Sequence, residues 1–257
     1  VIICRSAAEL ETMHRAGMIV WGALSELREQ VQPGMSTLEL DAIAEAYARK
    51  HKARPAFKNY HGYPKSLCTS INNEVVHGIP SAKRIVKEGD ILSMDFGVEF
   101  EGYYGDAALT VPVGKIAPER EKLLRVTREA LERGIEQVRD GNRLSDISAA
   151  VQQWVERNGF SVVREFVGHG IGTKMHEDLQ LPNYGEPGRG PKLQAGMVLA
   201  IEPMVNSGSP AVRMLDDKWT AVTSDGSDSA HFEHTVAVTQ NGPWILTRPR
   251  DAAGPVW

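Results

Sequence analysis

Gly89-Asp-Ile-Leu-Ser-Met-Asp95 and Gly196-Met-Val-Leu-Ala-Ile-Glu202 lie 196 − 89 = 107 residues apart and share one pattern, a glycine, an apolar run and a carboxylate. The same shift lays Glu29-Gln-Val-Gln-Pro-Gly34 onto Glu136-Gln-Val-Arg-Asp-Gly141, since 141 − 34 = 107. Each half then reaches a second acidic residue that opens a strand, in Asp106-Ala-Ala-Leu-Thr-Val-Pro-Val-Gly114 and in Glu233-His-Thr-Val-Ala-Val-Thr-Gln-Asn-Gly242. Solenoid repeats run to about 20–50 residues, so this longer period reads as one ancestral unit used twice about a pseudo-twofold axis. Two matched carboxylate pairs follow from it: Asp95 with Glu202, and Asp106 with Glu233.

Local signals give each half the order αα then β. Ser6-Ala-Ala-Glu9 and Ser36-Thr-Leu-Glu39 have capping-box spacing, in which each end satisfies an orphan backbone N–H, so helices are predicted near 7–30 and 37–51. Pro118 suits a first helical turn and the 119–139 stretch is apolar at helical spacing. A further helix begins near Leu144 and ends at Asn158-Gly159. Strands are predicted near 67–71, 90–98, 102–112, 160–166, 197–205, 231–239 and 243–247. Helices followed by strands favour an α+β fold, with helices on one face of a mainly antiparallel sheet and the carboxylates on the other.

The 257 residues, 42% of them hydrophobic, suffice for a full core, and they read as one catalytic domain over 1–257. Its halves are approximately 1–115 and 116–250, with a tail at 251–257 that frays or packs back through Trp257. No apolar run approaches the roughly 20 residues of a membrane span, and the N-terminus lacks a signal-peptide pattern, so a cytoplasmic location is expected. Cys4 and Cys68 form no CxxC pair, and Cys68 reads as a packing thiol. A net charge of −4 without a basic block argues against nucleic acid as the partner.

Asp95, Asp106, His169, Glu202 and Glu233 each stand in a short apolar or glycine-flanked segment. Buried there, an unpaired ion loses hydration worth several kcal/mol, which a partner charge or a metal must return. Four carboxylates balance two divalent cations, and an oxygen-rich set with one imidazole suits Mn, Fe, Co or Zn. Two such ions roughly 3.5–4 Å apart hold a hydroxide, polarise a carbonyl and stabilise the tetrahedral charge, which serves hydrolysis. His14 and His51, on predicted helices, read as ordinary satisfied imidazoles. Gly168-His-Gly-Ile-Gly172 lacks the context of a dinucleotide turn, and its glycines suit a close approach of substrate. Gly185-Glu-Pro-Gly-Arg-Gly-Pro191 reads as a surface turn near the site entrance.

His61-Gly-Tyr-Pro-Lys-Ser-Leu-Cys68, Asn72-Asn-Glu-Val-Val-His77-Gly-Ile-Pro80, Asp95 with Asp106, Gly168-His169-Gly-Ile-Gly172, His176-Glu177 and Ile201-Glu202-Pro203 closely resemble the type I methionine aminopeptidases. The match covers nearly the whole chain. The resemblance implies the pita-bread fold, whose two pseudo-twofold related halves form a curved antiparallel sheet with helices outside. It implies removal of the initiator methionine from nascent polypeptides, with a small second residue preferred. By that resemblance Asp95 chelates one ion, His169 and Glu202 the other, and Asp106 and Glu233 bridge both. His77 and His176 match the catalytic histidines, near the scissile amide nitrogen and the carbonyl oxygen. Glu202, beside the attacking water, is the expected proton shuttle to the leaving amine.

The resemblance further assigns Tyr60, Tyr63, Cys68 and Trp219 to an apolar slot for an unbranched thioether, with His61 at its rim. Phe57 stands where many members have a small residue, and Met175 where they have an aromatic, so the pocket shape departs from the family while the methionine preference is expected to survive. Backbone oxygens around Asn72, Glu74 and Ser229 match a site for one Na or K ion. A monomer with transient ribosome contact is the expectation. Proline-specific pita-bread peptidases share the five ligands but carry a large N-terminal domain, for which the early first repeat leaves no room. A nonenzymatic pita-bread binding protein would typically lose ligands, and all five are present.

Overall fold

The computed structural model describes residues 2–257. Among them are four α-helices: α1 (Ala7–Gln30), α2 (Thr37–Lys50), α3 (Pro118–Glu136) and α4 (Leu144–Arg157). Both predicted capping boxes form. The Ser6 N–H donates to Glu9 Oε2 at 2.8 Å and the Ser36 N–H to Glu39 Oε2 at 2.7 Å, while each serine hydroxyl accepts the glutamate's N–H. Pro118 occupies the first turn of α3, where its missing donor costs nothing.

The duplication is visible in the hydrogen bonds. The Val86 N–H donates to Met35 O and the Leu193 N–H to Asn142 O, and 193 − 86 = 142 − 35 = 107. Ser36 bridges Ile85 and Arg143 bridges Lys192 at the same shift, 143 − 36 = 107. Gly89 and Gly196 take φ of 91° and 96°, left-handed values that cost glycine little because it has no Cβ. The same turn therefore launches the same strand in both halves.

The main sheet runs through strands Arg54–Pro55, Ile91–Phe100, Tyr103–Pro112, Glu233–Thr239, Val198–Ile201, Gly168–Gly170 and Glu177–Leu181 in that spatial order. Cys68–Ile71 also pairs with Ile91–Phe100, and Gly242–Ile245 with Glu233–Thr239; all of these pairings are antiparallel. Its centre is two strands from each half, joined where Ala108 faces Glu233 and Ala107 faces His234.

Period-two alternation separates the faces. Leu92, Met94, Phe96, Val98, Ala107, Leu109, Val111, Leu199, Ile201, Val236 and Val238 form one buried cluster with the helix residues Val20, Leu24, Leu27, Leu40, Leu131 and Ile147. Between them on the same strands alternate Asp95, Gly97, Asp106, Ala108, Ala200, Glu233 and Thr235, which the opposite face must carry. This helix-backed, antiparallel arrangement is the pita-bread architecture.

α1 packs closely both on Gly105 of its own half and on Leu246 of the second half. A Cβ built on Gly17 would lie 2.1 Å from Leu246 O, and one on Gly105 would lie 2.9 Å from Gly17 N. Gly→Ala inside a helix ordinarily stabilises by about 1 kcal/mol. Here the sign is expected to reverse: Gly17→Ala should lower stability by about 1–3 kcal/mol through overpacking, read as a lower urea midpoint at unchanged slope.

Several predicted strands are shorter than expected. The 197–205 strand splits into Val198–Ile201 and Met204–Asn206 because Pro203, beside Glu202, has no N–H for the ladder. The 231–239 strand breaks at Phe232, and Ser229–His231 joins Met204–Asn206 and Ser161–Val162 in a separate three-stranded sheet. That last strand is all that forms of the predicted 160–166. The tail packs back: Trp257 stacks on Trp21 and His234 with ring centroids 4.5 and 4.7 Å apart. Among the described residues no helix is long and apolar enough to cross a membrane.

Candidate functional site

Two cross-strand rows place the predicted ligands. In the first, Cys68 faces Asp95, Asp95 faces Ala108, and Ala108 faces Glu233. Glu202 extends this row, because it follows Ile201, the partner of His234. In the second, Gly97 faces Asp106, while Thr235 faces Ala200 and Ala200 faces His169. The Thr235 hydroxyl joins the two parts of this row, accepting the Asp106 N–H at 3.1 Å and donating to Asp106 O at 2.8 Å. The rows are two residues apart, so their side chains share a face. Gly97, Ala108 and Ala200 leave space between the acids.

The donors converge, with His169 beyond hydrogen-bond distance of the acids it faces. His169 Nε2 lies 3.6 Å from Glu202 Oε1 and 3.9 Å from Asp106 Oδ2. These spacings exceed a hydrogen bond but suit two donors around one cation held at about 2.0–2.2 Å. His169 Nδ1–H donates to Gly170 O at 2.9 Å, which leaves the Nε2 lone pair aimed at the carboxylates, as in a metal-ligating tautomer. Asp95 Oδ1, Asp106 Oδ1 and Glu233 Oε1 are buried with no hydrogen-bond partner among the described residues.

The electrostatics ask for positive charge. Burial pushes Asp95 up to about 7 and Glu202 up to about 8. Asp106 and Glu233 rise well above the carboxylate range, by burial first and then by the neighbouring acids. Burial holds His169 down at about 3 and His77 at about 4. Among the described residues no lysine or arginine lines the cavity, so no side-chain cation is at hand. Orphaned oxygens, an exposed imidazole lone pair and crowded acids all fit divalent metal.

Around the acids opens a cavity of about 230 Å³. It is lined by Phe57, Tyr60, His61, Tyr63, Cys68, His77, Met175, His176 and Trp219 together with Asp95, Asp106, His169, Glu202 and Glu233. His77 follows the strand Glu74–Val76, and Val76 faces Ala221, so the register sets His77 beside the turn that carries Trp219. Their rings meet edge to face at 6.3 Å, and Tyr63 meets Trp219 likewise at 5.1 Å. The Tyr63 hydroxyl is spent on Leu67 O (2.9 Å) and Gly78 O (3.1 Å), so the ring presents apolar surface. His77 holds φ of 61°, a left-handed value uncommon outside glycine. Tyr60 Oη lies 2.9 Å from His176 Nδ1, and the exposed His61 packs edge to face on Tyr60.

Other predicted features lie apart from the cavity. Asn72 and Ser229 are adjacent, through the Ser229 N–H donating to Asn72 O at 2.9 Å, whereas the Glu74 carboxylate accepts from Ile71 N–H and Arg84. The 185–191 turn is tied to α4 through Gly185, Gly188 and Arg189 and contributes no residue to the cavity lining. Two glycines of 168–172 admit neighbouring protein rather than substrate: a Cβ on Gly168 would lie 2.3 Å from Ala200 O, and one on Gly172 2.2 Å from Arg5 Nη2. His14 and His51 are satisfied, each through Nδ1 to a backbone carbonyl at 2.9 Å. The sequence reading passed over His231, which forms a three-donor group with Glu202 and Glu233. Its spacing of two from Glu233 was the available signal, blurred by the strand break at Phe232.

The sequence pattern of metallopeptidase family M24 matches residues 11–240. The chain is 56% identical to methionine aminopeptidase of Clostridium perfringens over 247 residues, covering 96% of this chain and 99% of the relative. It is 53% identical to methionine aminopeptidase 1 of Bacillus subtilis over 248 residues, covering 96% and 100%. The crystal structure of a methionine aminopeptidase from Thermotoga maritima superposes with a TM-score of 0.95 at 47% identity, covering 97% of this chain and all of that one (100%). A prolidase from Pyrococcus horikoshii, at 22% identity and a TM-score of 0.77, shares the fold; the match covers 96% of this chain and 64% of that one. The chain belongs to metallopeptidase family M24.

Proposed function

We propose that this chain is a metalloaminopeptidase that removes the N-terminal methionine from nascent polypeptides in the cytoplasm. The observation that carries this reading is one cavity in which an aromatic and sulfur-lined slot opens directly onto five convergent metal donors. Asp95, Asp106, His169, Glu202 and Glu233 would hold two divalent cations, Asp95 as a ligand to one, His169 and Glu202 to the other, and Asp106 and Glu233 to both. Bound there, such ions supply an activated water and a Lewis acid for the scissile carbonyl.

The chain's own groups do the rest. Tyr63, Cys68 and Trp219 enclose the methionine side chain, and Phe57 and Met175 narrow the slot at Gly97, where a Cβ would meet them at 3.0 and 3.1 Å. With the Tyr60 hydroxyl donating to His176 Nδ1, the single imidazole proton sits on Nε2, available to the carbonyl oxygen as it gains charge. Neutral near pH 7, His77 can hydrogen-bond the scissile amide nitrogen. Glu202 takes the proton of the attacking water and returns it to the leaving amine.

His77→Ala is expected to lower kcat about 10²–10⁴-fold, the usual worth of a positioned proton-handling group, while metal content stays at the wild-type value. Steady-state kinetics on a Met-Ala-Ser peptide with parallel metal analysis reads this. Unchanged kcat would remove His77 from the reaction.

A further inference from the structure

His231 has no part in the roles given so far, yet it is buried at the edge of the acid cluster, with 1% of its surface exposed. Its Nε2 has no hydrogen-bond partner among the described residues. That nitrogen stands 3.6 Å from Glu202 Oε2 and 3.9 Å from Glu233 Oε2. Glu202 Oε1, in turn, stands 3.6 Å from His169 Nε2. Glu202 is thus flanked by two imidazoles, one facing each of its oxygens.

The backbone of His231 is fixed by the same device that fixes Asp106. Thr110 Oγ1 accepts the His231 N–H and donates to His231 O, both at 2.8 Å, as Thr235 Oγ1 does for Asp106. Thr110 is itself held by Ser93 Oγ at 2.8 Å. The two imidazoles differ in one respect. His169 gives its Nδ1 proton to Gly170 O, which bares Nε2, whereas His231 has no counterpart of that bond among the described residues. No such bond draws the His231 proton to Nδ1, so Nε2, the nitrogen that faces the carboxylate, is free to carry it.

We propose that His231 is a positioning residue for Glu202. Its Nε2–H donates to Oε2 in the loaded centre, which reserves Oε1 for the ion shared with His169. This rests on the metal-centre reading above. Hydrogen-bonded partners of ligating carboxylates typically contribute 10–100-fold, on the order of that range, to metal affinity.

The test loads ¹⁵N-histidine-labelled protein with ¹¹³Cd²⁺. His169 Nε2 should couple to cadmium and carry no proton, while His231 Nε2 keeps its proton and shows no cadmium coupling. In calorimetric titration with Cd²⁺, His231→Gln, which keeps a donor, should bind near wild type. His231→Leu should bind about 10–100-fold more weakly. Cadmium coupling at His231 Nε2, loss of its proton, or a folded Leu variant that binds like wild type would overturn the proposal. The spectrum of the unmodified protein decides even if that variant does not fold. A chain that bound no Cd²⁺ would overturn the metal-centre reading as well, which separates the two failures.

Discussion

Glu233→Gln is expected to abolish metal-dependent turnover and to weaken metal binding by more than the roughly 100-fold typical of losing a ligand's hydrogen-bond partner. Glu233 groups with Asp106 and His169 on one side and with Glu202 on the other, so both parts of the site draw on it. It is buried to 1% exposure, so no water replaces the lost oxygen cheaply. The stability effect should change sign with loading. Metal-stripped wild type keeps a carboxyl here that burial and the neighbouring acids push well above its ordinary range. A neutral amide removes that conflict, so the stripped variant should melt higher than stripped wild type at pH 8, while the loaded variant melts lower than loaded wild type. Calorimetric Mn²⁺ titration and thermal melts read both; unchanged affinity would exclude Glu233 as a ligand.

The metal-stripped protein should also lose stability as pH rises from 7 to 8. Asp95 and Glu202 are pushed up to about 7 and about 8, so the folded chain holds protons that the unfolded chain has already released. A raised acid stabilises fully below its unfolded value, and that contribution is lost as pH rises through the folded value, which fixes the sign. The depressed histidines act in the opposite sense, but mainly below their unfolded value of about 6.5. Each retained proton makes the slope about 1.4 kcal/mol per pH unit. With metal bound the carboxylates stay ionised and the slope should flatten. Urea unfolding at pH 7.0, 7.5 and 8.0, with and without Mn²⁺, measures it; a flat or rising profile in the stripped protein would contradict the buried-acid account.

How far the sequence could be read depended on which interactions are local. The capping boxes at Ser6 and Ser36 and the Pro118 start need only a few neighbouring residues, and all three helix starts lie where predicted. The 107-residue repeat carried long-range information, because Asp95 and Glu202 occupy one position of two related turns and strands. Short strands were harder. Gly168–Gly170 is too short and glycine-rich to show alternation and pairs on the edge offered by Val198–Ile201, and Glu177–Leu181 in turn pairs on Gly168–Gly170. Pro203 and Phe232 each interrupt a run that reads as continuous. The roles of Gly168 and Gly172 depend on what packs against them, Ala200 and Arg5, which spacing along the chain does not reveal. His231 is the same kind of case: Phe232 moves it into a different sheet from Glu233, and only the folded chain shows it facing Glu202.

The most direct test of a two-metal methionine aminopeptidase is hydrolysis of Met-Ala-Ser beside an Xaa-Pro peptide, with the protein first stripped of metal and then reloaded with Mn²⁺, Fe²⁺, Co²⁺ or Zn²⁺. The account predicts free methionine only after reloading, little cleavage of the Xaa-Pro bond, and full activity near two equivalents of metal. Preference for Xaa-Pro, turnover without metal, or a loaded and folded chain that releases no methionine would contradict it.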